Sequence, residues 1–182
     1  NSAGQATGAA VGTTIISYSL ASGCRSTAVL TINTLPDSVS GTAKVCVGLT
    51  TTFTGFPGGG TWSSSNTAVA TINASGVITG VALGTSRITY TNAGGCYKTK
   101  VVTVNAAPLS ITGNASVCVG STTTLACPGG GTWASSDMAV GTISTTGVVR
   151  GISDGITTIT YTLSTGCFRT RDVTVNSAPS AI

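Results

Sequence analysis

Six cysteines, Cys24, Cys46, Cys96, Cys118, Cys127 and Cys167, are the side chains of this 182-residue chain best equipped for chemistry. A thiolate can hold a metal, attack an electrophile or close a disulfide, and its neighbours and spacing decide which. No two of the six stand in C-x-x-C spacing, and the chain has no histidine. Zinc therefore lacks its usual ligand pattern. The cysteines point instead to disulfides in an oxidising compartment, with no cofactor implied.

Other constellations fail against their own requirements. Gly151-Ile152-Ser153-Asp154-Gly155 has the spacing of a nucleophile elbow, but an elbow needs a strand-to-helix turn and a histidine base. The glycine runs Gly58–Gly60 and Gly129–Gly131 are not followed by the Lys-Ser/Thr pair of a phosphate loop. Carboxylates are limited to Asp37, Asp137, Asp154 and Asp172, at different phases of the sequence, whereas calcium wants several clustered oxygens. Asn73-Ala74-Ser75 and Asn114-Ala115-Ser116 fit the glycosylation triplet, which chance supplies readily in so Ser- and Thr-rich a chain. The expectation is a protein without catalysis.

The elements around these residues come in repeats. TWSSSNTAVATINASGVITG from Thr61 returns as TWASSDMAVGTISTTGVVRG from Thr132. Pro36 and Pro108, and Cys46 and Cys118, lie 72 apart; Trp62 and Trp133, Tyr90 and Tyr161, and Cys96 and Cys167 lie 71 apart after one deletion. Such periodicity marks an array of like units. Complete units are expected at 36–107 and 108–178, with 179–182 opening a further repeat. Residues 1–35 align with the back half of a unit, because Gly12, Ile16, Tyr18 and Cys24 precede Gly84, Ile88, Tyr90 and Cys96 by 72. That half-domain is expected to be completed by upstream sequence or by another chain.

Short segments with two-residue alternation, each closed by Gly or Asn, predict about seven strands per unit in a Greek-key β-sandwich. No window has helical periodicity. Trp62, Trp133, Tyr18, Tyr90 and Tyr161 take strand phases expected of the core, although the tryptophans could in principle stack a sugar. Tyr97 and Phe168 follow the last turn and are the candidates for a surface contact. With 7% charged and 41% hydrophobic residues the chain is unlike a disordered tail. Its net charge of +4 is scattered, which disfavours nucleic acid, and no run of about 18 apolar residues is present to span a bilayer.

The stretch TWSSSNTAVATINASGVITGVALGTSRITYT resembles the group 2 bacterial immunoglobulin-like domains, through its Trp-Ser-Ser-Ser strand, its Ala-Thr-Ile strand, Gly-Val-Ile-Thr-Gly and the closing Ile-Thr-Tyr strand. The Val-Cys-Val-Gly segment and the late cysteine are similar to the variant in long repetitive surface proteins of Bacteroidota, including gliding and adhesion filaments. The resemblance implies tandem immunoglobulin-like β-sandwiches in an extracellular or cell-surface shaft, whose partners are further repeats and possible side-by-side fibres. The alternative is a module that binds a glycan or protein through loops at the domain poles around Cys127, Tyr97 or Phe168. In the family's fold the turns bearing Cys46 and Cys96 lie at opposite poles. That favours Cys46 with Cys167 across the junction over within-unit pairs Cys46 with Cys96 and Cys118 with Cys167. Cys24 would then find its partner outside the segment, and Cys127 would stay free or compete for Cys167.

Overall fold

The computed structural model describes residues 4–177, so the expected further repeat at 179–182 lies outside the described residues. Every regular element among them is a β-strand. An antiparallel hairpin comes first, β1 (Gly12–Ser19) and β2 (Arg25–Ile32), with Gly12 opposite Ile32 and Ser19 opposite Arg25.

The first unit contains β3 (Ser38–Ser40), β4 (Lys44–Cys46), β5 (Thr50–Thr52), β6 (Thr54–Phe56), β7 (Thr61–Ser64), β8 (Ala70–Ile72), β9 (Val77–Gly80), β10 (Gly84–Thr91) and β11 (Tyr97–Asn105). One sheet runs β4-β11-β10-β7; the other runs β5-β9-β8, with β3 and β6 paired beside it. The second unit repeats the plan with β12 (Thr112–Gly113), β13 (Ser116–Cys118), β14 (Thr122–Ala126), β15 (Thr132–Ser135), β16 (Gly141–Ile143), β17 (Val148–Gly151), β18 (Gly155–Thr162) and β19 (Phe168–Asn176). Its sheets run β13-β19-β18-β15 and β12-β14-β17-β16.

More strands appear than the expected seven because the chain breaks within two of them. The lead-in strand divides at Gly41, whose φ of 118° and contact with the Thr52 carbonyl exclude a Cβ, and β4 then crosses to pair parallel with β11. β5 and β6 are separated at Phe53, which points into the core at 1% exposure, whereas β14 runs unbroken through the equivalent Leu125.

Each unit closes around its own core. Phe53, Ala70, Ile78, Ile88, Val102 and Val104 join the two sheets of the first; Leu125, Val149, Ile159, Tyr161, Val173 and Val175 do so in the second. The serine of the Trp-x-Ser motif has a defined task. Ser64 donates to the Ala70 carbonyl at 2.6 Å and lies 2.8 Å from the buried Ser86 hydroxyl; Ser135 makes the same bond to Gly141 and meets Thr157 at 2.7 Å. Buried hydroxyls are thus satisfied in matched pairs, as a core demands.

Tyr90 and Tyr161 are each 2% exposed, in keeping with their strand phase. Tyr18, expected in the core at the same phase of a completed unit, is 70% exposed among the described residues. The difference is topological: β10 and β18 each have a tryptophan strand and a facing sheet, while among the described residues β1 pairs with β2 alone. Trp62 and Trp133 are half-buried at the edge of their cores, with ring centroids 4.7 and 4.6 Å from Tyr90 and Tyr161.

Candidate functional site

The place where unlike parts of the chain meet is the junction between the two units. Cys46 ends β4 in register with Asn105, the last residue of β11, so the parallel pairing carries its sulfur to the end of the first unit. Its loop is fixed from behind. The amide of Leu49 donates to the Cys46 carbonyl at 3.0 Å, and Gly48 donates to the Gly80 carbonyl at 2.8 Å. A Cβ on Gly80 would lie 2.7 Å from the Cys46 carbonyl oxygen, which is why glycine stands there and again at Gly151, where the same approach to Cys118 is 2.7 Å.

Cys167 arrives from the opposite pole of the second unit. The turn Leu163–Cys167 is closed by Leu163 donating to the Cys167 carbonyl at 2.8 Å and by Gly166 donating to the Leu163 carbonyl at 2.9 Å. The same turn recurs at Asn92–Cys96 and Leu20–Cys24. In the middle copy the Asn92 side chain adds a local brace, accepting from the amides of Gly94 and Cys96.

Cys46 and Cys167 are joined by a disulfide with their Cα atoms 5.7 Å apart, across 121 residues of sequence. That separation is ordinary for a cystine. The within-unit pairs, Cys46 with Cys96 and Cys118 with Cys167, are not formed; Cys24, Cys96, Cys118 and Cys127 carry free thiols. Register explains it, because Cys46 leaves its own unit at the pole opposite the Cys96 turn. Cys167 is fully buried against the first unit, whereas Cys96 at the same phase is half-exposed.

Beside the disulfide, Val47, Gly48, Leu49 and Ala107 of the first unit and Phe168 and Arg169 of the second line a crevice of about 480 Å³. Phe168 is 53% exposed and Tyr97 63%, so both stand at the surface after their turns. Basic residues account for how each unit begins. Lys98 and Lys100 donate to the carbonyls of Asp37 and Gly41, and Arg169 and Arg171 at the matching phases donate to those of Pro108 and Ile111. Charge pattern alone did not expose this clamp, although a cation pair two apart on the last strand of both units was the available signal.

Cys127 lies at the same pole but faces inward. Its thiol donates to the Leu109 carbonyl at 3.3 Å. Burial pushes the thiol above its ordinary value of 9.0, and the Arg169 guanidinium pulls it partly back. Because the fold favours the neutral form, this contribution to stability is complete at neutral pH and is lost only as pH rises through the raised value. The thiolate is the nucleophile. Iodoacetamide at pH 8 is therefore expected to modify exposed Cys24 and Cys118 first and Cys127 last, as peptide mapping over a time course would record; early labelling of Cys127 would refute this.

The remaining motifs are structural. Tyr90 donates to the Pro57 carbonyl at 2.6 Å and accepts from the Gly60 amide at 2.8 Å, so the ring tethers both ends of the glycine run. Tyr161 accepts from Gly131 at 2.6 Å. Ser153 of the elbow-like sequence donates to the Ala139 carbonyl, and Asn73 accepts from Ser75 and Val77 to build a turn. Between the glycine run and Trp133 is an open cleft of about 580 Å³ in the second unit, against about 180 Å³ in the first. Among the described residues no three His, Cys, Asp or Glu side chains gather into a metal site.

No family model matches the chain. Over 116 residues it is 35% identical to ice-binding protein 1 of Shewanella frigidimarina (strain NCIMB 400), a match covering 55% of this chain and 13% of that protein. The chain thus spans a small part of the relative's length. Among solved structures, invasin, a bacterial integrin-binding protein, aligns over 93% of this chain and 46% of its own at 13% identity and a TM-score of 0.47. The C-terminal fragment of intimin, solved with the translocated intimin receptor's intimin-binding domain, covers 79% of this chain and 64% of its own at 14% identity and 0.46. Domains 4 and 5 of the S-layer protein SbsC cover 80% of this chain and all of their own at 22% identity and 0.36. At these scores the fold rests on the strand topology described above.

Proposed function

We propose that the chain is a segment of a structural shaft in a secreted or cell-surface bacterial fibre or adhesin. Its tandem immunoglobulin-like units are of the group 2 bacterial kind, as in Bacteroidota surface filaments, and disulfides stiffen them. The observation that carries the reading is the Cys46–Cys167 bond, which adds a second covalent link between units already joined by the chain. A short linker alone would leave relative motion of the units as the default. The bond also favours an oxidising, extracellular setting.

Similarity to a small part of an ice-binding protein supports a shared repeat module more than a shared activity. The partners of a shaft are further repeats, in line or side by side, and catalysis, nucleic acid and membrane insertion form no part of the reading. A second reading, a binding module, is favoured by one observation: the Trp133 cleft is larger than its counterpart at Trp62.

Small-angle scattering of the intact chain tests the shaft. The oxidised protein is expected to give one narrow, elongated distance distribution, and reduction to broaden it while circular dichroism stays unchanged. A distribution indifferent to reduction would remove the joint from the reading, and compact particles in images of native material would remove the shaft.

A further inference from the structure

We propose that the outer face of the sheet β4-β11-β10-β7 in the first unit packs against the outer face of β13-β19-β18-β15 in the second unit of another copy of the chain. Neighbouring shafts then lie side by side with unlike repeats abreast. This assignment rests on the shaft reading and adds to it the surface, the charge match and the register.

The first observation is which side chains the pleat leaves outside. In β10 and β11 the buried residues Ile88, Tyr90, Val102 and Val104 take alternate positions, so Arg87, Tyr97 and Val101 project from the opposite face. In β18 and β19 the same alternation puts Ile156, Phe168 and Asp172 outside. The four apolar side chains among these are each more than half exposed. Threonine fills much of the rest, as in the cross-strand pairs Thr85 with Thr103 and Thr160 with Thr170. Side chains this short let a second sheet approach to the ~10 Å at which sheets stack.

The second observation is charge. Arg87 lies opposite Val101, and Asp172 lies opposite Thr158, in the same row of their respective units. The Thr158 hydroxyl donates to the Asp172 carboxylate at 2.7 Å and holds it in place. Among the described residues the first face adds only Lys44, on the edge strand opposite Thr103, and the second face adds no further charge. Packing first face on first face would set cations against cations, and second on second would set carboxylate against carboxylate. Only first on second joins opposite signs. An exposed ion pair contributes little to affinity, whereas like charges across a contact are costly, so charge here selects the register.

The third observation is extent. The two long strands have eight and nine residues in each unit and the edge strands three and four. At ~3.3 Å per residue and ~4.8 Å between strands each face covers ~400 Å², so one contact buries ~800 Å². That is weak for a single pair of units, and two such contacts reach the ~1,600 Å² of a standard interface. A run of repeats multiplies the contact further.

Sedimentation velocity of the oxidised full chain, with its free thiols blocked by iodoacetamide, tests the assignment. At low salt the parent is expected to associate as its concentration rises to ~1 mM, and ~0.5 M salt should weaken the association. Arg87→Asp and Asp172→Arg should each weaken it at least about tenfold, because each sets like charges against one another. Mixed in equal amounts, the two variants should regain it, since both cross-contacts then join opposite signs. Regain also shows that both are folded. Arg150→Asp makes the same charge change on the other sheet of the second unit and should leave association as it is. A parent that stays monomeric, single variants that associate like the parent, a mixture that stays apart, or an Arg150→Asp chain weakened as much as Arg87→Asp would each overturn the proposal. A chain that is monomeric yet elongated and stiffened by its disulfide would leave the shaft standing, so the two readings fail separately.

Discussion

Tyr161→Ala is expected to cost the second unit about 4 kcal/mol of unfolding free energy, in the range for deleting a buried aromatic side chain. Tyr18→Ala, at the same phase of the repeat, is expected to stay within about 0.5 kcal/mol. Tyr161 is 2% exposed, packs on Trp133 at 4.6 Å and accepts the Gly131 amide at 2.6 Å. Removing it opens a cavity between the sheets, frees the glycine run and leaves that amide without its acceptor, and these losses act together. Tyr18 is 70% exposed and has no facing sheet among the described residues. Urea unfolding of the two variants and the parent compares them directly. A cost at Tyr18 approaching that at Tyr161 would mean that the hairpin face is covered in solution.

The contrast between these tyrosines marks how far the amino-acid pattern reaches. Repeat phase and two-residue alternation were enough for an all-β fold and for the burial of Ile88, Tyr90, Ile159 and Tyr161, because alternation selects one face of a strand. The same phase leaves Tyr18 exposed among the described residues. A strand's pattern says which face is apolar, and only the rest of the sheet decides whether that face is covered. Breaks in strands were hidden for a related reason: Gly41 reads as an ordinary turn residue, and its role in passing the chain between sheets depends on the Thr52 carbonyl, distant in space until the fold forms.

At the junction, cysteine spacing alone left within-unit and cross-unit pairs open, and the choice needed the poles of the folded unit. The structure supplies the missing step through the parallel register of Cys46 with Asn105. The lysine and arginine clamps recur at the repeat period, Lys98 and Lys100 as Arg169 and Arg171, but a cation pair on a strand does not say what it binds. Their partners are backbone carbonyls, which any residue could provide.

Cys46→Ser is expected to lower the stability of the units by about 2–4 kcal/mol, against changes within about 0.5 kcal/mol for Cys118→Ser. The bond closes a span of 121 residues, and cross-linking a span of that order removes about 4–5 kcal/mol of chain entropy from an unfolded chain on the loop-closure account. The full amount is not expected. Each unit has a separate core, so when the second unfolds the first can remain folded and the loop actually released is shorter. The variant also leaves Cys167, buried in the oxidised chain, as a thiol at a loosened joint. Calorimetry of the parent, the parent under reductant and Cys46→Ser should show the last two coinciding, with both transitions below that of the oxidised parent. Coincidence of all three would mean that the bond sets the angle between the units without contributing to their stability. A broadened scattering distribution for Cys46→Ser would then be its sole signature, and the junction would act as a joint between two sandwiches that are each stable alone.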